Sequence, residues 1–276
     1  MPVEVKLGPK VATCSAIIFD KDGTLLDGYR LWEELAGLRT RILRELLMSG
    51  FQKEDWWLCG LGGLNGPING HAIEDIIENI IASYRATLGI GEDGVIDRRG
   101  PLVLASLRDE VVMTATILYQ HGFKWDDALL IAEDAYRKAE HSLSLEAISV
   151  PIDGAYDTLK GLIAAGVATA VATTDTHARA EATLRTAGLE EVINVIIGVD
   201  DVERGKPHPD AIFRACQELG VNHEEVIYVG DTITDMWTGH NAGVACKVGV
   251  LTGAGTREAL EPLADIVLES VREITP

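Results

Sequence analysis

Apolar and polar positions follow different periods in different stretches of this chain. Ala16-Ile17-Ile18-Phe19 is a continuous apolar run that stops at Asp20-Lys21-Asp22-Gly23-Thr24, and a short apolar run bounded by a glycine turn predicts a buried strand. Residues 3–7 alternate and predict a short edge strand. From Tyr29 to about Met48 the apolar residues Leu31, Trp32, Leu35, Leu38, Ile42, Leu43 and Leu46 recur at helical spacing, and Gly50 supplies a stop. Residues 50–70 are rich in Gly and Asn and predict a loop. A second helix is predicted over His71–Leu88, with Ile73, Ile76, Ile77, Ile80, Ile81 and Tyr84 on one stripe. Pro101 opens a third, with Leu104, Leu107, Val111, Ala115 and Leu118 inward and an end near Gly122. A fourth runs from about Asp126 to Leu143.

The pattern changes after about residue 148. Predicted helices at 152–165, 177–187, 209–219 and 233–242 alternate with apolar runs at 167–172, 193–197, 225–229, 245–250 and 265–268. That alternation implies right-handed crossovers and a parallel sheet. The predicted class is α/β: a Rossmann-like parallel-sheet core built from residues 1–28 and 148–276, interrupted by an all-helical insertion over 29–147.

Composition adds a constraint on partners. A formal net charge of −19 over 276 residues argues against non-specific nucleic-acid or anionic-membrane binding. Any anionic substrate then needs a locally positive site. Cys14, Cys59, Cys216 and Cys246 lie far apart without a Cys-x-x-Cys pair, which favours free thiols in a reducing cytoplasm over a zinc knuckle or a disulfide framework. No signal peptide is expected, and every apolar run is too short to span a bilayer.

Polar residues with chemical potential fall at the ends of the predicted strands. Asp20 and Asp22 stand at the C-terminal end of the first buried strand, where open α/β sheets place their ligands. Gly23 lets the backbone curl so that both acids converge, one as nucleophile and one as proton donor. The same residues also fit a plain Asp-Gly turn. Thr173 ends the strand 167–172, where a hydroxyl can bind a ligand above the sheet, while Thr174 or Asp175 can cap the next helix. Lys206, in Gly205-Lys206-Pro207-His208-Pro209-Asp210, is stiffened by the prolines after it; His208 reads as a turn residue. Asp231 tips the strand 225–229 and Asp235 follows one helical turn on. With Asp20 they form an acidic cluster that calls for a cation, and hard oxygen ligands suit Mg²⁺.

These segments resemble the four motifs of the haloacid dehalogenase (HAD) superfamily, in the family's order: Asp20-Lys21-Asp22-Gly23-Thr24, the strand ending at Thr173, Lys206-Pro207-His208-Pro209, and Gly230-Asp231 with Asp235, followed by Asn241-Ala242-Gly243. The resemblance covers about 1–27 and 149–276. The helical block sits where the family carries its C1-type cap and resembles that of phosphoglycolate phosphatase-like members, although it is longer. The resemblance implies phosphoryl transfer through an aspartyl-phosphate on Asp20, with Asp22 as acid and then base. It implies Mg²⁺ on Asp20, the Asp22 backbone carbonyl and Asp231, supported by Asp235. Thr173, Lys206 and the backbone amides of the 21–24 turn, including Gly23 and Thr24, are the implied phosphate ligands.

The expected activity is Mg²⁺-dependent hydrolysis of a small phosphate monoester, with phosphoglycolate as a first guess. The alternatives are a phosphomutase of the same fold, then a phosphonatase or a non-catalytic binding protein. Asp22 disfavours dehalogenation, since dehalogenases lack the second acid. The cap lysines Lys53, Lys124 and Lys138 sit in no recognisable phosphonatase setting. Tyr29, Arg30 and Trp32, just after the first motif, are candidate substrate contacts along with Asn65 and Asn69; core packing is the competing role for Trp32. Lys21 departs from the family pattern and reads either as an attractor of anionic substrate or as a structural or surface contact. The expected partner is a small phosphorylated metabolite, with no nucleic acid or membrane and a homodimer as candidate assembly.

Overall fold

The computed structural model describes residues 2–52 and 70–276. Its first elements are a hairpin, β1 (Val3–Leu7) and β2 (Lys10–Cys14), paired from Val3↔Cys14 to Leu7↔Lys10. Gly8 takes φ +56° at the first central position of the two-residue turn, where a left-handed residue matches the strand twist. A Cβ there would lie 2.9 Å from Leu268. The alternation of β1 buries Val5 and Leu7. The sequence reading missed β2, which buries only Cys14 fully and so shows no period.

β3 (Ala16–Phe19) follows, with all four residues at 0% exposure. Then come α1 (Gly28–Gln52), α2 (Gly70–Leu88), α3 (Pro101–Leu104), α4 (Leu107–Gln120), α5 (Trp125–Ser142) and α6 (Leu145–Ile148). The alternating part runs α7 (Ala155–Ala164), β4 (Ala168–Ala172), α8 (His177–Thr186), β5 (Val195–Ile197), α9 (Asp210–Leu219), β6 (Val226–Gly230), α10 (Ile233–Ala242), β7 (Cys246–Val250), α11 (Arg257–Leu260), β8 (Ile266–Leu268) and β9 (Ile274–Thr275). The chain divides into two compact units, Met1–Leu31 with Ser144–Pro276, and Trp32–Leu143.

In the first unit six strands form a parallel sheet in the order β5-β4-β3-β6-β7-β8. The chain winds outward from β3 on one side, then returns and winds outward on the other. This is the strand-order reversal at which α/β sheets bind ligands. Because β3 is covered on both faces, it reads as an unbroken apolar run. Ile17 and Phe19 join Val171, Ile227, Val229 and Leu159 on one face. Ala16 and Ile18 join Ala170, Tyr228, Ile212 and Ala215 on the other. A second, antiparallel sheet of order β2-β1-β9 adds Val5, Leu7, Cys14 and Ile274 to the first of these faces. The predicted α/β class with a parallel sheet and a helical insertion is what the structure shows.

The helical unit buries Leu43, Leu47, Ile77, Ile80, Ala115, Leu118 and Ala132. Arg39 is also buried there; it donates to Glu110 Oε2 at 2.7 Å and Glu140 Oε1 at 3.2 Å and stacks 4.4 Å over the Tyr136 ring. The single helix predicted from Pro101 to Gly122 is corrected by the structure. Ala105 is extended, and Ser106 caps α4 by accepting from Asp109 N–H at 3.2 Å. Leu104 and Leu107, predicted inward, are therefore exposed at 58% and 51%. Residues 50–52 continue α1. Gly70 opens α2, and residues 53–69 of the predicted loop, with Lys53, Cys59, Asn65 and Asn69, lie outside the described residues. Cys14, Cys216 and Cys246 are buried free thiols. No described helix is long and apolar enough to cross a membrane.

Candidate active site

The ladder between β3 and β6 continues one residue beyond β3, where Asp20 N–H donates to Val229 O at 2.8 Å. Asp20 thus sits level with Gly230 on one side and Ala172 on the other, by the registers Phe19↔Val229 and Phe19↔Val171. The chain then turns sharply. Leu25 and Leu26 N–H both donate to Lys21 O at 2.9 Å, and Gly23 N–H donates to Leu26 O at 2.7 Å. Gly23 has φ +84°, and a Cβ on it would lie 2.7 Å from Asp231 Oδ2, so conformation and space both require glycine.

Thr24 is buried; its hydroxyl donates to Asp231 Oδ1 at 3.3 Å and its N–H to Lys21 O at 3.4 Å. Gly23 and Thr24 thus take places in the turn and beside Asp231.

Asp231 lies just past β6. The loop after β7 holds it: Ala254 N–H donates to its Oδ2 at 2.8 Å and Gly255 N–H to its backbone oxygen at 2.9 Å. The Thr252 hydroxyl joins the same loop to Gly23 O at 2.6 Å. Asp235 is placed by a reciprocal cap at the start of α10. Its N–H donates to Thr232 Oγ1 at 3.1 Å, and its Oδ2 accepts from Thr232 N–H at 3.1 Å. Asp235 Oδ1 accepts from Tyr228 OH at 3.1 Å and Lys206 Nζ at 2.7 Å.

Lys206 Nζ also donates to Asp20 Oδ1 at 2.5 Å, and its side chain is 4% exposed. Asn241 steadies the Lys206 loop, its amide donating to Pro207 O at 2.9 Å. Thr173 follows β4, with its N–H on Ile197 O at 3.0 Å. Its Oγ1 accepts from Asp175 N–H at 3.2 Å, which leaves the hydroxyl hydrogen to donate to another group.

Ligand atoms of Asp20, Asp231 and Asp235 lie within 4.8 Å of one another, and all three residues are buried. Burial pushes the Asp20 carboxyl up to about 7, against the pull of Lys206 and with the push of Asp235 and Asp22. Burial, then the charges of Asp20 and Asp235, holds Asp231 well above the carboxylate range. For Lys206 burial opposes the charge, but Asp20 and Asp235 outweigh it and raise its pKa well above the ordinary value. Three crowded carboxylates sharing one ammonium make a hard-oxygen donor set that fits a small divalent cation such as Mg²⁺.

Asp22 stands outside that cluster. Its carboxylate meets Lys21 Nζ, at 2.7 Å from Oδ2 and 2.9 Å from Oδ1. Of the structural or surface contact expected for Lys21 the structure shows the structural one, since its side chain is 1% exposed. Tyr29, Arg30 and Trp32 open α1. Tyr29 is half-buried, with its N–H on Asp27 Oδ1 at 3.1 Å; Arg30 is exposed, its Nε 3.9 Å from Asp27 Oδ2; Trp32 is half-buried.

Sequence reasoning missed Tyr228, Thr232 and the 252–255 loop, and read Thr174 or Asp175 as the cap of the next helix, a place that Thr176 takes. The Thr-x-x-Asp cap was legible at Thr232-Ile233-Thr234-Asp235. Tyr228, inside an apolar run, carried no signal separate from core packing.

The sequence profile of the haloacid dehalogenase-like hydrolases matches residues 14–243. Among curated proteins, the pyrophosphatase PpaX of Halalkalibacterium halodurans is 39% identical over 113 residues, covering 41% of this chain and 52% of that protein. The PpaX of Bacillus cereus strain AH820 is 32% identical over 144 residues, 51% of this chain and 65% of that protein. The chain therefore matches only about half to two thirds of the length of these relatives. Among solved structures, a "predicted phosphoglycolate phosphatase" from Haemophilus somnus 129pt superposes with TM-score 0.63 at 17% identity, over 94% of this chain and 96% of that one. A HAD family hydrolase from Deinococcus radiodurans R1, with bound phosphate and sodium, gives TM-score 0.55 at 24% identity, over 94% and 93%. At these identities the structural likeness concerns the fold.

Proposed function

The chain belongs to the haloacid dehalogenase-like hydrolases, and from that membership we propose that it is a Mg²⁺-dependent phosphatase acting on a small phosphate ester through an aspartyl-phosphate. The observation that carries this reading is the buried cluster of Asp20, Asp231 and Asp235 with Lys206 bridging Asp20 and Asp235. Asp20 attacks phosphorus in line, so that its carboxylate–phosphorus bond forms as the bond to the leaving oxygen breaks. Asp22 gives a proton to that oxygen, then takes one from the water that hydrolyses the aspartyl-phosphate. Thr173, Lys206 and the backbone amides of Lys21 and Asp22 meet the phosphoryl oxygens. Asp20, Asp231 and the Asp22 backbone carbonyl, with Asp235 in support, would hold Mg²⁺, which would supply charge neutralisation there. Tyr29, Arg30 and Trp32 are proposed to contact the leaving group.

A second reading of the substrate has support of its own. The PpaX relatives are pyrophosphatases, which favours a phosphoanhydride beside the monoester phosphoglycolate. Phosphate release from phosphoglycolate, pyrophosphate, a hexose phosphate and p-nitrophenyl phosphate, with Mg²⁺ or with chelator, tests both. We expect Mg²⁺-dependent release that Asp20→Asn reduces to background while circular dichroism stays unchanged. Release from none of the four, or an Asp20→Asn variant that keeps a sizeable share of the rate, overturns the proposal.

A further inference from the structure

Lys21 lies between the two proposed catalytic acids, and the mechanism above uses its amide but not its side chain. The ammonium is fully enclosed and touches two carboxylates from distant parts of the chain. It contacts both oxygens of Asp22, and Asp175 Oδ2 at 3.1 Å. Asp175 in turn has Arg179 Nε 3.4 Å from its other oxygen. Asp175 also donates its N–H to Thr173 Oγ1. The cation therefore joins the turn that carries Asp22 to the segment that presents Thr173.

Enclosure at 1% exposure rules out a role in drawing substrate from solvent. An enclosed ammonium is expensive to desolvate and persists only when well paired. Asp22, by contrast, is 24% exposed. A carboxylate on a part-exposed turn samples several rotamers unless a partner selects one, and proton transfer tolerates little misplacement.

We propose that Lys21 is the positioning residue for Asp22: its ammonium, braced by Asp175, holds the Asp22 carboxyl in the orientation from which it exchanges protons with the leaving oxygen and the attacking water. Lys21 touches no substrate in this role. The inference rests on the proposed acid–base function of Asp22.

Its test separates proton transfer from phosphoryl transfer. An alkyl phosphate needs a proton on its leaving oxygen, whereas p-nitrophenolate leaves without one. Single-turnover rates are measured with the best alkyl phosphate of the panel and with p-nitrophenyl phosphate, for wild type, Asp22→Asn, Lys21→Met and Lys21→Met/Asp175→Asn. The double variant removes the carboxylate that Lys21→Met strands. In both Lys21 variants we expect the alkyl rate to fall about 10–100-fold, with the p-nitrophenolate burst nearly unchanged. Equal losses on both substrates, no loss on either, or a faster alkyl rate overturns the inference. So does recovery of both rates in the double variant, which would make Lys21 a charge balance and nothing more. Asp22→Asn marks the other failure. If it lacks the alkyl–aryl split, the acid–base reading falls and takes the Lys21 role with it. If it shows the split and the Lys21 variants do not, only the Lys21 role falls.

Discussion

Tyr228 shows how one side chain can be core and site together. Its ring is fully buried against the sheet, while its hydroxyl reaches Asp235 Oδ1 at 3.1 Å and Lys206 Nζ lies 5.6 Å from the ring centre. Tyr228→Phe keeps the packing and removes one donor from Asp235. We expect a stability loss of about 1 kcal/mol and a weaker response to Mg²⁺, about tenfold in half-saturating concentration, read from the rise in melting temperature on titration. An unchanged titration midpoint would confine Tyr228 to packing. The residues legible in the sequence were those whose place follows from a strand end: Asp20, Thr173 and Asp231. Asp235 follows from its spacing, one helical turn after Asp231. Tyr228 and Lys21 were not legible, because their roles depend on partners that only the folded sheet brings near. Lys21 meets Asp175 across the β3–β4 boundary, and nothing local distinguishes it from a surface lysine.

Elements with a full helical or buried-strand period were legible, and those fixed by distant pairing were not. β2 and β9 exist because β1 lies between them; β2 buries only Cys14 fully and β9 is two residues long, so neither shows a period. The break between α3 and α4 was written in Ser106-x-x-Asp109 but was outweighed by the run of leucines around it. Helix packing also places a titratable group inside the helical unit, where Arg39 of α1 meets Glu110 of α4. Burial, opposed by Arg39, raises the Glu110 carboxyl to about 7. The folded unit therefore holds a proton that the unfolded chain releases near the ordinary glutamate value of about 4.3. Stability from this group is present below that value and is lost as pH rises toward 7, by an amount on the order of 3–4 kcal/mol. Unfolding followed by tryptophan fluorescence in a Trp237→Phe background reads this unit through Trp32 and Trp125, which lie in it. Glu110→Gln should flatten the pH dependence relative to wild type; parallel curves would show that Glu110 does not titrate in this range.

Over the whole molecule, 43 acidic residues face 24 basic ones. The proposed substrate is an anion, so the general field repels what Lys206 and the cation site attract. Screening shortens the reach of that field to about 10 Å at 0.1 M salt. With saturating Mg²⁺, kcat/KM for a phosphate ester is expected to rise with added KCl while kcat stays level; a fall in kcat/KM would show that a local positive funnel dominates. The two-segment build of the first unit has a further consequence, in time rather than space. β3 is complete once residue 19 has been made, yet one of its two neighbours, β6, ends at Gly230. At ribosomal rates of 5–20 residues per second, the strand that carries Asp20 waits about 10–40 s for that neighbour. Throughout that interval Ala16-Ile17-Ile18-Phe19 is an unpaired apolar edge on a growing chain, a natural handhold for chaperones. Nascent chains stopped before residue 226 should therefore be cut by protease near this strand, while chains carried past residue 250 resist.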